Sequence, residues 1–195
     1  MTLPNSIETV ESNPFEWCFR LTGIWVEPDH PVFAQIDGVL FNKAENKLIS
    51  YPIGKKSASY FVPDGVKSIG NSAFSFCENL TAITLPEGLE SIGNSAFLFC
   101  ENLTSITLQK GLKSIEDSAF LSCRNLTAIT LPEGVDSIGN HAFDDCENLT
   151  SITLPASLNS IAIDAFEKGT VLIVPRNSYI EKWAKKNGIA YQYVP

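Results

Sequence analysis

The chain has 195 residues, of which 44% are apolar and 18% charged. That apolar content is enough for one sizeable core and excludes wholesale disorder. A net charge of −8 has the wrong sign for a nucleic-acid surface, and no apolar run reaches the ~18–20 residues of a membrane-spanning helix.

Self-similarity dominates the chain. Phe74, Phe97, Phe120, Phe143 and Phe166 are spaced by 23 residues, and Cys77, Cys100, Cys123 and Cys146 each follow a Phe by three. A fixed period of this length is the signature of a solenoid, in which each turn buries its apolar face only against its neighbours.

Residues 3–25 read as a first, decayed repeat. Leu3, Phe15 and Cys18 lie 82 residues before Leu85, Phe97 and Cys100. MTLPNSIETV has neither the basic nor the apolar region of a secretory signal. Because it opens inside a strand with no cap before it, the chain is expected to be a segment of a longer array.

Residues 26–59 read as an elongated turn, since the strand at 60–62 arrives 36 residues after the one at 24–26. Two apolar runs, 39–41 and 48–51, flank a polar turn at 43–47 and predict a β-hairpin.

Residues 60–166 carry the regular repeats. Ile83 and Leu85 alternate with Ala82 and Thr84, the pattern of a strand with one buried face. Pro86, Pro132 and Pro155 end that ladder because proline has no N–H to donate. Gly65, Gly88, Gly111 and Gly134 suit turns that need positive φ. Leu89 and Ile92, with their equivalents, re-enter the core on a short second strand. Ala-Phe-x-x-Cys is predicted as one helical turn with Phe and Cys on the same side.

Residues 167–195 read as a C-terminal cap. Gly169 replaces the cysteine, and a strand is predicted at Val171–Val174. Ser178 and Glu181 then form a capping-box start. Ile180, Trp183 and Ala184 supply an apolar helix face, Gly188 stops the helix, and a last strand is predicted at 189–194.

Candidate chemistry is sparse. The closest cysteines are 23 residues apart, unlike the paired ligands of zinc sites, so the column is read as free buried thiols. His30 and His141 lack the partners of a catalytic triad and are read as surface substitutions. No phosphate loop, zinc-protease or EF-hand motif is present. Neither catalytic residues, nor a metal site, nor a cofactor is expected. Asn79, Asn102, Asn125 and Asn148 each begin a glycosylation sequon but recur as a structural column. Glu78, Glu101 and Glu147 share a column with Arg124, which is expected to relieve their repulsion. The Thr84, Thr107, Thr130 and Thr153 face is uniform, which suits it poorly to an irregular partner.

The most variable positions follow each Phe: Glu16-Trp17, Ser75-Phe76, Leu98-Phe99, Leu121-Ser122 and Asp144-Asp145. Trp17, Phe76, Leu98, Phe99, Leu121, Asp144 and Asp145 are therefore the candidate partner-binding surface. The competing reading is that one residue of each pair folds down over the core.

The set LP-x-G-(L/V)-x-SIG-x-x-AF-x-x-C-x-x-L, the DGVLFNK…LISYP insert and the VP-x-x-S…KWAKKNGI-x-Y ending resembles the BspA-type leucine-rich repeat family over essentially the whole chain. The expected fold is an α/β repeat, a right-handed leucine-rich-repeat-type solenoid with 23-residue turns, parallel sheets, one elongated hairpin-bearing turn and a C-terminal helix–strand cap, all within one domain, 1–195. The resemblance implies a bacterial cell-surface or secreted adhesion module whose partner is a host-matrix or other cell-surface protein. A structural spacer without its own ligand is the alternative. Nucleic-acid binding and membrane insertion are not expected, and the oligomeric state is left open.

Overall fold

The computed structural model describes residues 1–194; Pro195, the last residue of the predicted cap, lies outside them. The fold is a β-solenoid with turns of about 23 residues, because a fixed period lays identical residues over one another and lets parallel strands pair in register.

In chain order, β1 (Thr2–Leu3) pairs in parallel with β2 (Trp25–Val26). The elongated turn then forms β3 (Phe33–Ile36), β4 (Val39–Asn42) and β5 (Lys47–Ser50). The predicted hairpin is β4–β5, and β3 makes it a three-stranded antiparallel meander. The β3 strand escaped notice because Phe33–Ile36 has no repeat counterpart.

Two kinds of short strand alternate afterwards. The first kind is β6 (Ser59–Phe61), β8 (Ala82–Thr84), β10 (Ser105–Thr107) and β13 (Ser151–Thr153). The second kind is the Ser-Ile pairs: β7 (Ser68–Ile69), β9 (Ser91–Ile92), β11 (Ser114–Ile115), β12 (Ser137–Ile138) and β14 (Ser160–Ile161). The chain ends with β15 (Val171–Val174), α1 (Tyr179–Asn187) and β16 (Tyr191–Tyr193).

The Ser-Ile strands form one sheet in the order β14-β12-β11-β9-β7-β5-β4-β3, so the meander extends one of its ends. The other face is β10-β8-β6 and β13-β15-β16. These are linked through the intervening turn only by the single bridges Ser105–Ala128 and Thr130–Thr153. Between the faces, Ile83, Leu85, Leu89, Ile92 and their repeats fill a continuous core.

The third side corrects the expectation of a helical turn. The N–H groups of Ser72, Phe74 and Phe76 donate across to the carbonyls of Asn94, Ala96 and Leu98 at 2.8–2.9 Å. Those of Ala73, Ser75 and Cys77 donate back three residues within the turn. A helix would consume every N–H internally, whereas a stacked side needs alternate ones for the next turn. Left-handed residues reverse the chain at each step: Ser72 at φ 54° and Phe76 at φ 59°, with counterparts in the following turns.

Phe and Cys do share the inner side. The rings of Phe74, Phe97, Phe120 and Phe143 stack at 5.0–5.1 Å, within 13° of parallel. Tyr51, 23 residues before Phe74, continues the stack at 5.2 Å. All five cysteines are free. Cys100, Cys123 and Cys146 donate their thiols to the carbonyls of Phe74, Phe97 and Phe120 at 3.0–3.2 Å. Burial pushes the Cys100 and Cys146 thiols up to about 12.

Cys18 departs from the expectation and is exposed. Gly54 occupies the cysteine position of the elongated turn, and the backbone from Phe19 to Leu21 lies directly on it. A Cβ at Gly54 would come within 2.9 Å of Phe19 O, Arg20 C and Leu21 O. The first repeat thus enters the column as backbone, and its thiol is left outside.

His30, expected at the surface, is fully buried. Its Nδ1 accepts the N–H groups of Val32 and Phe33 at 3.3 and 3.1 Å, so the ring substitutes for a turn carbonyl where β3 begins.

The cap follows the prediction. Ser178 Oγ accepts from Glu181 N at 3.1 Å, and Glu181 Oε2 reaches back to Asn177 N at 2.6 Å. Gly188 closes the helix at φ 67°. Ile180 and Ala184 are buried against the last turns and Trp183 is half-buried there.

Candidate interaction surface

The Phe–Cys side of each of these turns ends in a tight reversal through a left-handed residue. That column contains Trp17 (φ 72°), Phe76 (59°), Phe99 (55°), Ser122 (60°) and Asp145 (54°). Left-handed backbone disfavours bulky side chains and is tolerated best by Gly, Asn and Asp. Ser122 and Asp145 show that the fold itself does not require an aromatic ring here. Trp17, Phe76 and Phe99 therefore contribute something besides the backbone turn.

The three predicted aromatics come together. Trp17 and Phe76 have centroids 4.4 Å apart, and Phe76 stacks on Phe99 at 5.1 Å. Phe19 joins them edge-on, 6.2 Å from Trp17 and 5.9 Å from Phe76. It was missed because it follows the cysteine rather than the Phe; its aromatic character was the only available signal. Trp17 is 62% and Phe19 54% exposed, while Phe76 is half-buried and packs on the core. Phe76 covers the core and presents an outer face, whereas Ser75 and Ser122 fold inward.

Leu98 and Leu121, in the adjoining column, are half-buried. Asp144 and Asp145 belong to a polar network two turns away. Asp145 Oδ2 accepts from Ser122 Oγ at 2.8 Å and from Arg124 Nη2 at 3.0 Å. The Ser122 hydroxyl and then the Arg124 guanidinium hold this carboxyl below its ordinary range. Arg124 also lies 3.5 Å from Glu101 and 3.3 Å from Glu147, bridging the carboxylate column as its charge predicts. His141, exposed as expected, places Nδ1 3.1 Å from Asp144 and Nε2 3.1 Å from Asp164 on the next turn.

The sequons are a ladder. Asn102 and Asn148 donate to the carbonyls of Glu78 and Arg124 in the preceding turn, both at 2.9 Å. Among the described residues, no group of three His, Cys, Asp or Glu side chains is placed to hold a metal ion, and no helix is long and apolar enough to cross a membrane.

Similarity to known proteins falls on the same features. No curated protein sequence matches the chain. The pneumococcal vaccine antigen PcpA superposes with a TM-score of 0.80 at 28% identity, over 100% of this chain and 55% of that one. A leucine-rich cell surface protein of Faecalibacterium prausnitzii gives 0.78 at 30% identity, over 98% and 48%. A leucine-rich repeat protein of T. pallidum gives 0.61 at 26%, over 85% and 71%. The chain thus spans about half the length of the first two. Residues 53–172 match the model of the BspA type leucine-rich repeat region in six copies, the stretch whose Phe, Cys and Ser-Ile columns build the solenoid. The chain belongs to the BspA-type leucine-rich repeat family.

Proposed function

We propose that this chain is a protein-interaction module of a cell-surface or secreted bacterial protein, and that it engages a host-matrix or other cell-surface protein through Trp17, Phe19, Phe76 and Phe99. One observation carries the reading: an aromatic cluster, exposed at Trp17 and Phe19, in which Trp17, Phe76 and Phe99 occupy left-handed backbone positions that the same fold fills elsewhere with Ser122 and Asp145. Exposed aromatics of this kind are the residues that anchor protein interfaces. Leu98 and Leu121 extend the apolar surface along the turns, and Asp144 and Asp145 give it an acidic end. The description of the F. prausnitzii relative as a cell surface protein supports the location, and the repeat family supports a binding rather than a catalytic role.

The test is a solid-phase binding assay of the whole chain against purified matrix proteins and intact cells. It is repeated with a Trp17→Ser, Phe76→Ser, Phe99→Ser variant, which installs the residue the fold carries at position 122. Binding that falls at least about tenfold, the loss of one or more interface anchors, with the thermal transition still cooperative, supports the surface. Absence of binding at micromolar concentration favours a spacer.

A further inference from the structure

The uniform Thr face is interrupted at each end, by Ile173 beside Thr153 and by a bulkier residue beside Thr84. Thr84, Thr107, Thr130 and Thr153 repeat along it, but the residue paired with Thr84 on β6 is Phe61, and Phe61 is 72% exposed. An apolar side chain of that size is normally at least partly covered.

The elongated turn brings polar groups to the same place. The β3–β4 connection is Asp37-Gly38, with φ 51° and 75°, the two left-handed residues of a tight hairpin turn. Lys55 Nζ donates to the Asp37 carbonyl at 2.8 Å, so the Asp37 carboxylate is not spent on that contact. Asp37, Lys55, Ser57, Ser59, Tyr60 and Phe61 line an open depression of about 490 Å³, within the size range of small-molecule sites.

Tyr60, one of the lining residues, packs against Tyr51. The hydroxyls of Tyr51 and Tyr60 are buried and have no hydrogen-bond partner within the described residues. Their rings are 5.0 Å apart. Burial raises the Tyr60 phenol first, and the nearby Tyr51 and Asp37 add to that rise; the Ser57 hydroxyl lies beside Tyr51. Buried hydroxyls are almost always bonded, and the Tyr60 phenol, whose residue lines the depression, is the one left without a partner there.

The lining selects a ligand class. One carboxylate and one ammonium leave no net charge for a phosphate or a cation. An exposed aromatic wall beside hydroxyls, a carboxylate and an ammonium offers an apolar face together with donors and acceptors. We propose that this depression binds a neutral glycan, one sugar ring packed on Phe61 with its hydroxyls shared among Asp37, Lys55, Ser57 and Ser59. The site is separate from the aromatic cluster at Trp17, which lies on the Phe–Cys side of the turns, and does not depend on it.

The whole chain is screened against an array of neutral, anionic and cationic glycans, and the strongest hit is titrated by calorimetry. Phe61→Thr installs the residue of the other turns, and Asp37→Asn keeps a side chain that tolerates left-handed backbone. Neutral glycans are expected to bind. Phe61→Thr should weaken them about tenfold, the loss of one aromatic contact and its covered area, and Asp37→Asn should weaken them several-fold. Thermal transitions of both variants should match the parent, and Trp17→Ser should bind as the parent does. Absence of glycan binding at millimolar concentration, binding of charged glycans only, or Phe61→Thr binding like the parent would each overturn the proposal.

Discussion

Phe97 and Phe120 lie face over face, 5.0 Å apart and 7° from parallel, although 23 residues separate them. Both are fully buried, and each is covered by a ring on either side. The stack is the axis about which the turns repeat, and it sets what loss of a ring will do.

Phe97→Ala should destabilise by about 3–5 kcal/mol, since it removes a buried ring and leaves a cavity between two others. Phe166→Ala, at the half-buried end of the stack, should cost clearly less. Urea unfolding of the two variants measures the difference; equal losses would mean that the stack does not carry this stability.

Thiol reactivity should divide by position. Brief alkylation of the native protein should add one label, at exposed Cys18, and denaturation should release the other four. Intact mass reads both numbers.

The same burial predicts alkaline sensitivity. Folded Cys100 and Cys146 titrate near 12, above the ordinary 9.0. A neutral thiol in the folded chain and a thiolate in the unfolded chain favour unfolding. The contribution is therefore whole below pH 9 and declines progressively as pH rises toward 12. Cys100→Ala with Cys146→Ala should flatten this slope in melts between those limits.

At the cap the sign is opposite. Lys185, then Asn177 N–H and the Tyr193 hydroxyl hold the Glu181 carboxyl down to about 2, from 4.5. Its contribution is present above pH 4.5 and is lost as pH falls toward 2. Glu181→Gln should remove that acid dependence from the amide-exchange protection of residues 179–187 while leaving the repeats unchanged.

Arg124→Glu should lower the thermal transition, because it places a carboxylate among Glu101, Asp145 and Glu147. The loss should shrink with added salt, which screens exposed charges. A salt-independent loss would point to packing instead.

Much of the fold was legible in sequence. The Phe, Cys, Asn and Ser-Ile columns each recur every 23 residues, and a stacked chain can bury such columns only in register. The cap was readable because Ser178, Glu181 and Gly188 act through local geometry. Of the candidate surface, Trp17, Phe76 and Phe99 were found by their variability, and Phe19 was not. The helical turn was wrongly expected because apolar spacing cannot reveal that alternate N–H groups serve the next turn.

The period alone determined which residues meet from one turn to the next, since equal spacing leaves a stacked chain no other register. Across residues 26–59 the period is interrupted, and there only the tertiary structure decided the outcome. It buried His30, laid the Phe19–Leu21 backbone on Gly54 and so left Cys18 outside, and gathered Asp37, Lys55 and Phe61 around one depression. Those neighbours are set by the fold of the meander and by the room left beside it, neither of which repeats.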